Sequence, residues 1–333
     1  MSFSVSAIIP AYNSATHLGL CLRRLAASSL QPAECIVVDD GSTDDTPAVA
    51  RQHGASLVSA GGRQGPAFAR NLGARQARGD LLVFLDADVC VREDTLRHIV
   101  DRFQADPSPD AVIGSYDDTP AAPGFFSQYK NLQHHYVHQT ANSSATTFWT
   151  GCGAIRRAVF LELGGFHSGY HRPAIEDIEF GSRLLAAGKN ILLDRSLQVK
   201  HLKRWTFLDI LKTDILRRAL PWTELILRSG KMPNDLNVRL DQRVSVALMF
   251  GAVPLLLASA VILGNAALLF AALCAAAVVL LINAPFYRFL ASKRGFWFGA
   301  GSALMHLLYF FYSGATFVLA LARHCLRWPP SRQ

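Results

Sequence analysis

Gly79–Cys90 reads GDLLVFLDADVC, and the fold turns on this stretch. From Leu81 to Leu85 large apolar and β-branched residues follow one another with no helical period, which predicts a buried strand. Two aspartates, Asp86 and Asp88, stand one residue apart at its end. Like charges so close cost free energy unless a cation or hydrogen-bond donors offset them. The pair therefore points to a divalent metal carrying a phosphorylated ligand.

The chain upstream repeats the pattern. Val5 to Ile9 is an apolar strand stopped by Pro10, and Leu18, Cys21, Leu22 and Leu25 then recur at the spacing of a helix face, with Asn13 or Ser14 as the cap. Cys35 to Val38 is a second strand, ending in Asp39, Asp40 and a Gly-Ser-Thr turn, and Pro47 opens the next helix. Strand, helix, strand in this rhythm predicts right-handed crossovers and an α/β fold with a mostly parallel sheet. Ligands of such sheets sit at the carboxyl ends of the strands. There the sequence places Tyr12 and Asn13, then Asp39 and Asp40, then Asp86 and Asp88. A lone acidic pair is common as a capped turn, whereas pairs at successive strand ends of one sheet are not. Neither G-x-G-x-x-G nor G-x-x-x-x-G-K is present, which argues against a dinucleotide oxidoreductase and a P-loop enzyme.

AIIPAYN (Ala7–Asn13), VVDDGSTD (Val37–Asp44), GPAFARNLGARQARGDLLVFLDAD (Gly65–Asp88) and IEDIEFGSRLLAAG (Ile175–Gly188) resemble, in order and spacing, the inverting family 2 glycosyltransferases. The resemblance covers roughly Val5 to Trp205 and implies a GT-A, Rossmann-like catalytic domain binding a nucleotide-sugar. Pro10, Tyr12 and Asn13 would then line the nucleoside, and Asp39 or Asp40 would contact the base. Arg70 would lie near the diphosphate beside Asp86 and Ala87, with Asp88 and Asp86 holding Mn²⁺ or Mg²⁺. Asp177, next to Glu176, would be the catalytic base. Carboxylates at a helix start are ordinarily dipole partners, and Glu176, Asp177 and Glu179 stand just ahead of a helix whose apolar face reads Ile178, Leu184 and Leu185. The chemistry is coherent, because a nucleoside diphosphate leaves poorly until its charge is neutralised, and a hard cation on carboxylate oxygens does this without proton transfer.

On the acceptor side the resemblance implies Gly151, within FWTGCGAIRRAVFLELGGFHSGY (Phe148–Tyr170), and Arg204 and Trp205, within HLKRW (His201–Trp205). Processive members carry Q-x-x-R-W at the latter place. Here His201 stands for the glutamine, as a further metal or phosphate contact or as a structural histidine. His167 and Ser14 replace acidic residues frequent in the family, which bears on sugar identity. His134 and His138, four apart, read as a polar helix near the acceptor in preference to a metal pair.

After Arg243 the composition changes. Three uncharged runs at about 244–263, 266–282 and 296–322 approach the length that crosses a bilayer core of about 30 Å. Gly264 and Asn265 would close the first two into a hairpin. Between Lys200 and Arg243 ten lysines and arginines face five acids, a net +5. Its apolar residues Trp205, Leu208, Leu211, Ile215, Leu216 and Trp222 recur near helical spacing, as in helices lying in the interface beside anionic lipid. The expected plan is thus a catalytic domain at 1–200, interface helices at 201–243 and an all-α transmembrane region at 244–325. The N-terminus runs straight into a strand, unlike a signal peptide, and the basic stretch Tyr287–Gly295 fits the positive-inside rule. A cytoplasmic catalytic domain on the inner (plasma) membrane follows. The tail RHCLRWPPSRQ, with three arginines, would fall outside after three crossings, against that rule, unless the third run is re-entrant. Six scattered cysteines with no C-x-x-C suggest neither a zinc site nor a disulfide framework. The expected partners are a nucleotide-sugar, a lipid or lipid-phosphate acceptor such as a polyprenyl phosphate, and the membrane, with no nucleic acid. The expected reaction is a single sugar transfer with inversion. A processive polysaccharide synthase and a non-catalytic nucleotide-sugar-binding scaffold are the alternatives.

Overall fold

The computed structural model describes residues 3–327. The chain divides into two compact units, Met1–Trp205 and Thr206–Gln333. Of the tail RHCLRWPPSRQ, on which the charge-rule conflict rests, residues 328–333 lie outside the described residues.

In the first unit the quoted stretch forms β4 (Leu81–Leu85), every residue of it buried. The sheet runs in the order β3-β2-β1-β4-β7-β6-β8-β5, built from β1 (Val5–Ala11), β2 (Glu34–Asp39), β3 (Ser56–Ser59), β5 (Val89–Cys90), β6 (Ala111–Tyr116), β7 (Cys152–Arg156) and β8 (Ile191–His201). Strands β1 to β4 are mutually parallel. Beyond them β7 is antiparallel to both β4 and β6, and β8 returns parallel to β6. The carboxyl ends of β1, β2 and β4 therefore open on one edge of the sheet. Helix α1 (Ala15–Ala26) buries Leu18, Cys21, Leu22 and Leu25 as its spacing predicts.

Three local expectations give way. Strand β1 continues through Pro10, which pairs with Val38. Leu81 donates to the Ser4 carbonyl and Ala33 to that of Val5, so even-numbered residues of β1 face β4. Since the pairing with β4 ends at Ile8, Pro10 has no ladder donor to lose. Secondly, neither Asn13 nor Ser14 caps α1 through its side chain. Asp44 takes that place, its Oδ2 accepting from Ala15 N at 3.2 Å, while Thr46 Oγ1 accepts from Ser14 N at 2.7 Å. Thirdly, α7 (Glu176–Ala186) includes the acidic residues in its own first turn and buries Phe180 and Leu184. Leu185 is 39% exposed, because the four-residue step from Phe180 selects Leu184 and turns its neighbour outward.

The second unit is helical. Leu240–Leu263 and Phe296–Leu326 are each long and apolar enough to cross a membrane, and Ala266–Ile282 with Ala284–Arg294 forms a pair bent by 61° that makes a third crossing if counted as one span. Gly264, at φ 60°, and Asn265, whose side chain accepts from Ala267 N at 2.9 Å, join the first two helices as expected. Upstream lie α8 (Phe207–Lys212) and α9 (Leu220–Ser229), joined by π-helical turns at Thr213–Ala219. Leu208 and Leu216 are 61% and 62% exposed, while Asp214 is buried and accepts from Tyr312 Oη at 2.7 Å.

Candidate active site

At the ends of β1 and β2 two loops are stitched together. Asn13 adopts φ 47°, a conformation open to asparagine at small cost. Its Oδ1 accepts from Thr43 N at 2.8 Å, and its own N–H donates to Ser42 Oγ at 3.0 Å. The two adjacent aspartates then separate in role. Asp40 is buried and occupied: Oδ1 accepts from Gln64 N at 2.7 Å and Oδ2 from Gly65 N at 2.9 Å. Asp39 accepts from Ser42 N through Oδ1 at 3.1 Å, and its Oδ2 makes no hydrogen bond among the described residues. Of the two candidates for a base contact, only Asp39 keeps an open oxygen. The loop that Asp40 pins brings Arg63 over Tyr12, guanidinium carbon 4.0 Å from the ring centroid and Nη1 donating to Tyr12 Oη at 3.2 Å. Gly41, at φ 78°, is needed there, since a Cβ would come within 2.9 Å of the Gly62 backbone.

At the end of β4 the pair separates again. Asp86 Oδ1 accepts from Arg70 Nη2 at 2.7 Å, whereas Asp88 faces His201, with Oδ2 3.5 Å from Nε2. Ala87 between them is buried, and its carbonyl accepts from Cys21 Sγ at 3.3 Å. Burial opposes the Asp88 charge, yet His201, Lys203 and His17 hold its carboxyl below the usual carboxylate range. His201 is stacked on Tyr116, ring centroids 4.3 Å apart. Its Nδ1 donates to Asn131 Oδ1 at 2.6 Å, so in the neutral ring the Nε2 lone pair is turned toward a carboxylate oxygen. Two acceptors facing each other across 3.5 Å repel unless a proton or a cation lies between them. The donor set, one carboxylate and one imidazole held by the Asn131 amide, suits Mn²⁺ better than Mg²⁺, which prefers oxygen ligands throughout, and would leave the remaining positions to phosphate oxygens and water. Asp86 does not complete it: among the described residues no three His, Cys, Asp or Glu side chains converge on a metal position, and Arg70 occupies Asp86 instead.

Arg70 likewise does not point a free fork at a diphosphate. Its Nη1 donates to Glu176 Oε1 at 3.0 Å, and Glu176 Oε2 accepts from Ala174 N at 2.9 Å. Glu176 is thus a buried structural partner, while Asp177 stands at the first turn of α7 with Oδ1 accepting from Ile178 N at 2.8 Å. Gly151 is a packing glycine, since a Cβ would lie 2.3 Å from the Trp149 ring. Trp205 is buried, its backbone N–H donating to Ser127 Oγ at 2.8 Å; Lys203 Nζ lies 3.9 Å from its ring centroid, and its indole nitrogen has no hydrogen-bond partner among the described residues. Arg204 is exposed. On α5 (Phe125–Thr140) His135 and His138 use Nδ1 to donate to the carbonyls of Tyr116 and Gly114, at 2.7 and 3.1 Å. His167 Nδ1 accepts from Gly169 N at 3.1 Å. The sequence reading missed Arg63, Asn131 and Tyr116. The glycine-rich loop AGGRQG was the available signal for the first, and the other two have none.

Residues 6–164 match the family described as Glycosyl transferase family 2, so that stretch, from β1 to just past β7 and short of β8, carries a glycosyl transferase family 2 domain. It is 28% identical over 146 residues to the glycosyltransferase GlyG of Streptococcus pneumoniae serotype 4, covering 42% of this chain and 48% of that protein. It is 37% identical over 198 residues to the glycosyltransferase AglE of Haloferax volcanii, covering 56% and 63%. A further match, 40% identical over 92 residues and covering 26% and 24%, is a 4,4'-diaponeurosporenoate glycosyltransferase of Staphylococcus haemolyticus. The chain thus spans about half or less of most of the curated relatives it matches. Among solved structures, the mannosyltransferase PcManGT from Pyrobaculum calidifontis in complex with GDP-Man and Mn²⁺ superposes with a TM-score of 0.59 at 22% identity, over 99% of this chain and 89% of that one. The shared architecture is the GT-A fold.

Proposed function

We propose that the protein is a membrane-anchored, metal-dependent glycosyltransferase that moves one sugar from a nucleotide-sugar to a lipid or lipid-phosphate acceptor with inversion. The observation that carries this reading is the Asp88–His201 pair at the end of β4, a carboxylate and an imidazole facing across 3.5 Å on the edge where Asp39 keeps an open oxygen. Asp39 holds the base and Tyr12 the nucleoside. Asp88 and His201 would hold Mn²⁺ or Mg²⁺, which supplies charge neutralisation of the leaving diphosphate. Asp177 accepts the proton of an acceptor hydroxyl as that oxygen bonds to the anomeric carbon, and the sugar–phosphate bond breaks with its electron pair leaving on the diphosphate. With a lipid phosphate, already anionic, Asp177 orients the nucleophile instead. Arg204 and Trp205 stand on the acceptor side.

The membrane part of the proposal is supported by the two apolar helices and by exposed Leu208 and Leu216 among basic residues. The diaponeurosporenoate relative supports a lipid acceptor. Arg288, Lys293 and Arg294 on the helix Ala284–Arg294 favour a cytoplasmic catalytic unit on the inner membrane. The test is transfer by the full chain in lipid nanodiscs, supplied with UDP-, GDP- and dTDP-sugars, Mn²⁺ or Mg²⁺ and a total lipid extract. A single glycolipid that disappears on chelation is the expected result. A ladder of products would establish polymerisation instead, and nucleotide binding without any release would leave a scaffold.

A further inference from the structure

Arg70 and Asn71 are consecutive residues of α3 (Pro66–Gln76), and together they bond three other elements. Asn71 Nδ2 donates to the Phe166 carbonyl at 2.7 Å, and its Oδ1 accepts from Phe166 N at 2.9 Å. Arg70 donates to Glu176 at 3.0 Å and to Asp86 at 2.7 Å. The segment from Phe166 to Glu176 is therefore held at its first residue by one of the pair and at its last by the other. Gly165 is pressed on the same post, where a Cβ would meet Asn71 Oδ1 at 2.4 Å. The two carboxylates that Arg70 joins have particular neighbours. Asp86 is two residues before Asp88, and the turn between them is closed by Val89 N donating to the Asp86 carbonyl at 3.0 Å. Glu176 immediately precedes Asp177.

Arg70 and Glu176 are each 4% exposed. Turning the guanidinium toward a diphosphate would leave Glu176 as an unpaired buried carboxylate, the costly half of a broken buried pair. We infer that Arg70 is a positioning residue, which sets Asp177 against Asp88 by tying Glu176 to Asp86, and that it does not bind the donor diphosphate. This inference rests on the glycosyl-transfer reading, in which Asp177 and Asp88 serve the acceptor and the leaving group.

The experiment compares Arg70→Lys, Glu176→Gln and the double variant with the wild-type chain in nanodiscs. It records kcat and KM for transfer, the Kd of the nucleoside diphosphate with Mn²⁺, and the thermal midpoint. Lysine keeps the charge and loses the fork, while glutamine keeps a hydrogen-bond acceptor and loses the charge. For a positioning bridge, kcat falls about 100-fold in Arg70→Lys, the scale of a misplacement of about 1 Å, while nucleotide Kd stays within about threefold. Glu176→Gln lowers kcat in the same way, and the double variant is no worse than Arg70→Lys, because both remove one bridge. A tenfold or greater loss of nucleotide affinity in Arg70→Lys would make it a diphosphate ligand and overturn the inference, as would strictly additive losses in kcat. If Arg70→Lys does not fold, Glu176→Gln decides alone, and unchanged kcat there overturns the bridge. A wild-type chain that neither binds nucleotide nor transfers sugar overturns the glycosyl-transfer reading and the bridge together; an active wild type confines any failure to the bridge.

Discussion

The turns after β2 and β4 look alike in sequence: each follows a buried strand, and each carries two aspartates, Asp39 and Asp40 in one and Asp86 and Asp88 in the other. In the structure each pair divides into one carboxylate facing inward and one facing the site. Asp40 binds two amides of the neighbouring loop and Asp86 binds Arg70, while Asp39 keeps an oxygen open and Asp88 faces His201. The difference lies in the inward partner. Asp40 holds neutral amides and so fixes a loop, whereas Asp86 holds a buried cation and so joins two charged regions. A motif of two acids thus supplies a brace and a carboxylate left facing the site, and which residue is which depends on the direction each side chain takes from the strand end.

The largest effect that tests this division belongs to the β4 turn. Removing Asp88 by Asp88→Ala is expected to lower metal-dependent transfer by about 10³-fold, matching the several kcal/mol that a cation contributes to leaving-group stabilisation. Asp86→Asn keeps an acceptor for Arg70 but weakens the bridge at this end as Glu176→Gln does at the other, and is expected to lose about 100-fold through misplacement. The half-saturating Mn²⁺ concentration should move in the first variant and stay in place in the second. If Asp86→Asn shifts the metal requirement as far as Asp88→Ala does, the division of labour is wrong.

The β2 turn gives a test of intermediate size in which stability and binding part company. Asp40→Ala leaves the amides of Gln64 and Gly65 without their acceptor, at about 1–3 kcal/mol for an unsatisfied buried donor. For a unit of this size that lowers the thermal midpoint by roughly 2–4 °C for each kcal/mol. Asp39→Asn retains an oxygen for Ser42 N, so its midpoint should hold, while nucleotide affinity falls about tenfold through the altered base contact. Calorimetric melting and nucleotide titration of the two variants check both halves, and a reversed pattern would exchange the roles of the two aspartates.

How much of this was legible in the sequence follows from the same residues. Strand β4, the face of α1 and the gathering of polar residues at strand ends rest on local periodicity, and they stand in the structure as read. The interruption placed at Pro10 was wrong because the side of a strand facing its neighbour is a sheet property, invisible in the strand itself. The cap of α1 comes from Asp44, across a loop from another strand, so no local pattern announces it. The partner of Arg70 lies 106 residues away, and a fork that reads as a phosphate contact by its motif is occupied by a glutamate that the motif does not contain. Leu185 was placed on the buried face by its neighbour's company and not by the helical step from Phe180.

An aspartate with both oxygens engaged and no site to serve provides the control for the brace role. Asp194 on β8 accepts from Ser196 N through Oδ1 at 3.0 Å, and from His98 and Arg102 through Oδ2. Burial acts against its charge, yet Ser196, His98 and Arg102 hold its carboxyl well below the usual range. A carboxyl depressed on folding stabilises the protein fully above its ordinary value of about 4 and loses that contribution as the pH falls through the lower folded value. Asp194→Asn should therefore flatten the acid side of the stability profile, narrowing the gap between the urea midpoints at about pH 6 and pH 3. Transfer at neutral pH should change little, and an unchanged acid limb would mean that these contacts do not favour the ionised form.

The smallest expected effect concerns the residue that the Asp40 brace delivers to the site. Arg63 lies over the face of Tyr12 at 4.0 Å, is exposed, and makes its side-chain hydrogen bond to the Tyr12 hydroxyl and, among the described residues, to no carboxylate. An exposed cation–π contact contributes about 0.5–1 kcal/mol, so Arg63→Ala should weaken nucleotide binding about two- to fivefold, with kcat nearly unchanged. Its dependence on ligand charge separates two ways in which the guanidinium can act. If Arg63 holds the Tyr12 ring against the nucleoside, nucleoside monophosphate and diphosphate lose affinity by the same factor, and lysine, which lacks the planar face, does not restore it. If the guanidinium leaves Tyr12 for a phosphate, the diphosphate loses more than the monophosphate and lysine restores part of the loss. Titrating both nucleotides into the two variants decides between them. Equal losses would show that the brace at Asp40 shapes the nucleoside wall, which extends the division between the two aspartates of that turn from stability to recognition.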